Sequence, residues 1–293
     1  AGSKFEILGD FLQVSEVKLE EVLVLHSITL CRATAMNLFL VCKRNVVSYF
    51  ELVLLITYFG LCTSTTNYCD RSLCGRGQHI GCNATKGFAA ACGKNAEYIP
   101  MDAKMKEIIL NKHNTLRAKM AQGFGGFPPA QRMPTLVWDD ELATVASFNA
   151  RRCKFRHDNC RNTKEFKYSG QNLAMARFSG KTVKPDERAA FFLQKWFDEY
   201  RHCPKSIIAK FPLSYKGPQI GHFTLMMNDR VWKVGCSMVR YKSGKWTILF
   251  FVCNYSMNNI LGRPVYTGGK TASKCQTGQN AKFKGLCSTK EKV

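Results

Sequence analysis

Four cysteines, Cys69, Cys74, Cys82 and Cys92, crowd a stretch that also holds Gly75, Gly77, Gly81, Gly87 and Gly93. So little apolar material cannot form a core, and the stretch must be pinned by disulfides to a larger body. The same requirement sets the compartment, because structural disulfides persist in oxidising surroundings. The chain carries 14 cysteines in 293 residues. Cys31, Cys42 and Cys62 lie before position 65, so an odd number follows it and at least one thiol lacks an intrachain partner.

Leu52 to Cys62 reads LVLLITYFGLC, shorter than the about 20 apolar residues that span a bilayer and of the length found in a signal-peptide core. Met36 and the pair Lys43-Arg44 precede it, and the small residues Cys62-Thr63-Ser64 follow. Residues 36–64 therefore read as a signal peptide, and the expected localisation is secreted and extracellular. Residues 1–35 lie before the first methionine and show no globular pattern, so they are read as an untranslated-leader or artefact segment and kept out of fold reasoning. A membrane anchor is disfavoured by the short run and by Glu51 at its edge.

Beyond the leader the chain falls into three stretches. Residues 65–99 are the cysteine-rich extension, 100–261 the body, and 262–293 a basic, glycine-rich tail. Met105, Ile108, Ile109, Leu116 and Met120 recur at helical spacing up to Gly123. A second helix is expected from an Asp139 cap through Leu142, Val145, Ala146 and Phe148, and a third near Glu187 to Tyr200. Val231–Tyr241 and Trp246–Tyr255 read as strands joined at Lys242-Ser243-Gly244-Lys245. Helices first and an antiparallel pair later predict an α+β layered fold.

GHFTLMM at Gly221 to Met227 and FFVCNY at Phe250 to Tyr255 resemble the two signatures of the CAP superfamily, the cysteine-rich secretory, antigen 5 and pathogenesis-related proteins. SGQNLA at Ser169 to Ala174 and LVWDDELA at Leu136 to Ala143 fit the same family. NYC at Asn67 to Cys69 and HDNCRNT at His157 to Thr163 resemble dipteran antigen 5-like venom allergens. The resemblance covers essentially Asn67 to Val293. It implies a three-layer α-β-α sandwich with the disulfide-rich extension wrapped on one side. It also implies the pairs Cys69-Cys82, Cys74-Cys160, Cys92-Cys153, Cys236-Cys253 and Cys275-Cys287. Cys203 is then left as a free thiol, read as semi-buried in a monomer or, alternatively, as an intermolecular disulfide.

The family's cleft holds two histidines and two acidic residues, which by motif match His157, Gln171, Glu199 and His222. Gln171 departs from the superfamily pattern, where Glu is common. Two imidazoles, His157 and His222, with one carboxylate could take Zn²⁺ or Cu²⁺ weakly, whereas a structural zinc site wants four protein ligands. An amide cannot serve as a general base, which weakens a two-carboxylate hydrolase. Ser169 and Ser237 carry no serine-protease motif. No cofactor is required and no catalytic residue is assigned. His113 is expected to be a satisfied core histidine, and His79 and His202 are expected at the surface.

Partners follow from charge and from the resemblance. The formal charge is +22, from 43 Lys+Arg against 21 Asp+Glu. Five of those basic and six of those acidic residues lie in 1–64, so the remainder carries a formal +23. Arg151, Arg152, Lys154, Arg156, Arg161, Lys164 and Lys167 form one cluster, and Lys270, Lys274, Lys282, Lys284, Lys290 and Lys292 another. Such a surface favours an anionic glycosaminoglycan or phospholipid, with salt-sensitive affinity. Nucleic acid is not expected, since no recognition motif is present. Some salivary relatives present Arg-Gly-Asp to integrins where this chain has Arg76-Gly77-Gln78, and the missing carboxylate disfavours integrin binding. Family members carry sterols, fatty acids or eicosanoids, and Phe191, Phe192, Trp196, Phe197 and Phe211 could line such a channel or fill a core. Asn83 is a candidate glycosylation site, while the Asn254 sequon is expected to be buried. The leading expectation is a secreted, non-enzymatic antigen 5-like binding protein acting on host haemostasis or immunity. The alternatives are an extracellular lipid carrier and a Zn- or Cu-binding protein or weak metal-dependent hydrolase.

Overall fold

Capping and apolar periodicity explain the main helices. Asp102 accepts a hydrogen bond from the Met105 amide at 2.8 Å and opens α1 (Ala103–Ala121), which buries Met105, Ile109, Leu116 and Met120. Asp139 caps α2 (Asp140–Ala150) through the Leu142 amide at 2.9 Å. Helix α3 (Pro185–Asp198) has Pro in its first turn and runs on into a 3₁₀ turn, Glu199–Arg201. Two short helices follow, α4 (Ser206–Ala209) and α5 (Gly221–Met227). The computed structural model describes residues 66–75, 77–180 and 182–293. The segments read as leader and signal peptide, 1–35 and 36–64, and Arg76 of the glycine loop, lie outside the described residues.

Five strands, β1 (Glu97–Ile99), β2 (Val137–Trp138), β3 (Gly170–Phe178), β4 (Lys233–Ser243) and β5 (Trp246–Tyr255), make one sheet. Its order is β1-β4-β5-β3 with antiparallel neighbours, and β2 adds in parallel to the start of β4. Gly244, at φ +56, makes the tight β4–β5 turn. Strand alternation sorts the core into two layers. Met238, Leu249, Phe251, Cys253 and Tyr255 face α1, α3 and α5, while Val239, Tyr241, Ile248, Phe250 and Val252 face α2 and the Cys92 and Cys153 region. The result is the three-layer α-β-α sandwich, with residues Asn67–Val293 forming one compact unit. Gly235 allows the closest approach between layers, since a β-carbon there would fall 2.2 Å from the Ala143 amide nitrogen.

Disulfides join Cys69 to Cys82, Cys74 to Cys160, Cys92 to Cys153, Cys236 to Cys253 and Cys275 to Cys287. Two of these bonds tie the extension to the segment that follows α2. Cys236 and Cys253 are register partners on β4 and β5. The tail is held by Glu291, 1% exposed, whose carboxylate accepts from Arg132 Nε, the amides of Gln276 and Thr277 and the Thr277 hydroxyl. Burial alone would raise the Glu291 pKa, but these donors bring it down to about 2.

A cation is buried as well. Arg117 on α1 is fully buried and uses all five guanidinium N–H groups on main-chain carbonyls. Nε and Nη2 reach Pro134 O at 3.3 and 2.8 Å, Nη2 also reaches Val231 O at 3.0 Å, and Nη1 reaches Met226 O and Asn228 O at 2.7 and 3.0 Å. Burial lowers its pKa to about 9, which still leaves it charged at neutral pH.

Cys203 is the free cysteine among the described residues and is buried, with its pKa raised to about 11 chiefly by burial. Iodoacetamide at neutral pH is expected to spare Cys203 in the native protein and label it after unfolding, as read by peptide mapping. Arg117→Lys, with three donors where five are used, is expected to destabilise the fold by about 3 kcal/mol in urea unfolding with the disulfides intact.

Candidate functional site

Helix α5, strand β3 and the 3₁₀ turn after α3 bring the motif residues together. Glu199 opens that turn and His222 is the second residue of α5. Their side chains meet, with His222 Nδ1 2.6 Å from Glu199 Oε1. Glu199 Oε2 accepts the Phe223 amide at 3.0 Å, so both carboxylate oxygens are engaged. Trp196 of α3 stacks on the imidazole with ring centroids 5.6 Å apart. The indole is itself fixed by its N–H to Leu173 O at 3.2 Å. His222 is thus held by a carboxylate on Nδ1 and by an aromatic face, with the Gln219 amide nitrogen 3.5 Å from Nε2.

Gln171 on β3 organises the second half. Its amide nitrogen donates to Asp158 Oδ2 at 2.8 Å and to Asn254 Oδ1 at 3.0 Å. With both hydrogens committed, its oxygen must accept, and it takes His157 Nδ1–H at 2.8 Å. The neutral His157 therefore carries its proton on Nδ1 and turns the Nε2 lone pair outward. His157 reaches solvent at one edge, yet burial is the first cause holding its pKa below the ordinary value, opposed by the Gln171 hydrogen bond. The nearby Arg161 guanidinium pushes it the same way as burial. Asp158 is buried and saturated by Asn149 Nδ2, Gln171 Nε2 and Arg161 Nε, each at 2.8 Å.

Asp158, Asn254, Asn149, Trp196 and Asn172 are site residues that the motif reading passed over. Asp158 and Asn254 sit inside the quoted motifs, beside His157 and Tyr255, so adjacency was the available signal. Asn172 Nδ2 bridges His222 O at 3.2 Å and the Tyr255 hydroxyl at 3.4 Å. That hydroxyl meets His113 Nε2 at 3.0 Å, and His113 Nδ1 lies 2.9 Å from Ile109 O. His113 is fully buried, with its pKa lowered to about 4 mainly by burial.

Other assignments can be placed. His79 is not at the surface: it is buried, accepts from the Gly81 amide at 2.9 Å, donates to Asn162 O at 2.8 Å and stacks on Tyr68. A histidine in a polar loop gave no sequence sign of this, because its partners lie on another segment. His202 is exposed. Ser169 is buried and donates to Phe166 O, and Ser237 is buried as well. Phe192, Trp196 and Phe197 fill the core, Phe211 packs against it and Phe191 turns outward. Asn83 is exposed, and Asn254 is fully buried in the Gln171 network.

A resident Zn²⁺ or Cu²⁺ does not fit this donor set. Both oxygens of Glu199 and the oxygen of Gln171 already serve other groups, which leaves two imidazole nitrogens. Catalytic zinc takes three protein ligands, and among the described residues no group of three or more His, Cys, Asp or Glu is placed to hold a metal ion. A carboxylate-braced imidazole can recognise a ligand or take up a proton.

A three-layer α-β-α sandwich with two histidines brought to one cleft is the architecture of a known class. Residues 110–255 match the model of the CAP, or cysteine-rich secretory protein, family, and the chain belongs to that family. Venom allergen-1 of Aedes albopictus is 57% identical over 83% of this chain and 95% of that protein. Venom allergen-1 of Aedes aegypti is 58% identical over 78% of this chain and 89% of that protein. Among solved structures, Na-ASP-1 superimposes with a TM-score of 0.54 at 25% identity, covering 70% of this chain and 51% of that one.

The histidines behind the cleft set a pH dependence. The unfolded chain protonates His113 below about pH 6.5 while the folded chain resists until about pH 4, so stability is lost as pH falls through that window. The expected loss is about 3 kcal/mol, with smaller contributions of the same sign from His79 and His157. Urea midpoints measured from pH 7 to pH 4 should show it, and His113→Phe should flatten most of the slope.

Proposed function

We propose that the protein acts outside the cell as a non-enzymatic recognition protein delivered in venom or saliva, with a component of host haemostasis or immunity as its target. The observation that carries this reading is the saturation of the cleft's acids. Glu199 is engaged on both oxygens, Asp158 by three donors, and an amide stands at Gln171, so the cleft offers imidazoles but no unengaged carboxylate for a two-carboxylate hydrolysis. Secretion is supported by five disulfides, which structural proteins keep only in oxidising compartments. Delivery to a host is supported by the names of the mosquito relatives, which are venom allergens. Lipid carriage draws no support from the aromatic residues of α3, since Phe192, Trp196 and Phe197 pack on one another's neighbours rather than around a void.

The decisive test is calorimetric titration with Zn²⁺ and with Cu²⁺, run beside peptidase and esterase assays. The expected results are no site tighter than about 100 µM, or about −5.5 kcal/mol, and no turnover. A stoichiometric tighter site that disappears in both His157→Ala and His222→Ala, or turnover lost with them, would overturn the reading.

A further inference from the structure

Away from the cleft, the fold collects exposed apolar side chains on one face. Tyr168 is 70% exposed, Leu213 78%, Leu261 56% and Ile260 37%. The other exposed aromatic residues are partly covered: Phe155 by Phe250, Phe191 by Arg188 and Lys195, Tyr98 by Phe88, and Trp246 by Lys245. No ring or cation lies against Tyr168 in this way among the described residues.

These residues are neighbours through the backbone and a shared groove. Tyr168, Ile260 and Leu261 line an open groove of about 1090 Å³ together with Lys167, Arg161 and Arg263. Ile260 to Arg263 form a turn closed by the Arg263 amide on Ile260 O at 3.1 Å, with Gly262 at φ +73. The loop bearing Leu213 is tied to that turn twice, by the Phe211 amide to Arg263 O and the Gly262 amide to Phe211 O, both at 2.8 Å. The apolar tips are thus presented by braced loops, so docking them orders little chain.

Charge completes the face. Lys167, Lys210 and Arg263 are exposed, and among the described residues none makes an ion pair. Asp70 lies close enough to Lys167 to feel its charge, and Arg161 is already paired to Asp158. Long basic side chains beside apolar tips are the pattern of an interfacial anchor: cations seek anionic headgroups while apolar side chains enter the acyl boundary.

We propose that this face, made by Tyr168, Leu213, Ile260 and Leu261 with Lys167, Lys210 and Arg263, docks the protein on an anionic phospholipid surface. A fluid interface suits separated tips divided by a groove, whereas a protein partner would ask for one continuous patch. The face uses none of the cleft histidines and stands apart from the function proposed for the cleft.

The test is cosedimentation of protein recovered from the medium of expressing insect cells with vesicles of phosphatidylcholine, and with vesicles containing about one-third phosphatidylserine. The expected result is binding to the anionic vesicles only, weakened at least about tenfold by the double variant Leu213→Ser with Leu261→Ser, whose sites are exposed and leave folding intact. Lys167→Gln with Arg263→Gln should weaken binding and reduce its salt dependence. Unchanged binding by the leucine variant would show adsorption by charge alone and overturn the proposal. So would absence of binding to anionic vesicles, or retention on heparin with none on lipid.

Discussion

The guanidinium of Arg117 is the contact on which the arrangement of the layers depends. Five donors on one rigid plane hold the carbonyls of Pro134, Met226, Asn228 and Val231, which belong to two separate connections. Pro134 lies on the approach to β2 and the other three on the passage from α5 to β4, where neither helix nor sheet bonding can satisfy them. A buried cation without a carboxylate contact is costly to hold, and it persists because every hydrogen finds an oxygen. Through the end of α5 it also sets where His222 stands. The cleft therefore inherits its geometry from a residue that lies outside it.

Within the cleft, the exchange of a carboxylate for an amide at position 171 decides the chemistry. Glutamine has two hydrogens to give and one oxygen to offer, so it can bind Asp158, Asn254 and His157 at once. A carboxylate there could not donate to Asp158 and would meet a like charge at hydrogen-bond distance. The amide turns a potential acid-base pair into a fixed network with a defined imidazole tautomer. His222 keeps a carboxylate, and stacking on Trp196 ties that half of the cleft to the core. The two histidines therefore sit in differently charged settings, one beside a carboxylate and one beside an amide, which suits recognition of an asymmetric ligand.

The extension, the tail and the body depend on one another for different reasons. The extension holds two short 3₁₀ turns and hangs on Cys74-Cys160 and Cys92-Cys153, beside the cluster that contains His157. Asn162 and His79 add polar contacts across the same seam, and Arg161 and Asp158 lock it from the body's side. The tail has Cys275-Cys287, but its closure relies on the buried Glu291 carboxylate and on Leu286 and Cys287 packed into the body. Covalent bonds fix segments that have no core of their own, and hydrogen-bonded burial fixes the one that does.

Local pattern was enough for α1, α2, α3 and the β4–β5 hairpin, because caps, 3.6-residue stripes and alternation are written in neighbouring residues. Strand β3 and helix α5 were legible only as family motifs. Gly170–Phe178 is strand because β5 offers it a register, and Gly221–Met227 is helix because Arg117 and the core receive its end. The four cleft residues could be named by motif, whereas the orientation of Gln171, the burial of His79 and the roles of Asp158 and Trp196 depend on distant partners. By itself the sequence determined the layered α+β class, the odd cysteine count, the strong positive charge and the absence of a second cleft carboxylate at position 171. Only the tertiary structure decided which donors saturate the acids and which apolar side chains stay uncovered, because hydrogen-bond partners and exposure are properties of approach in space.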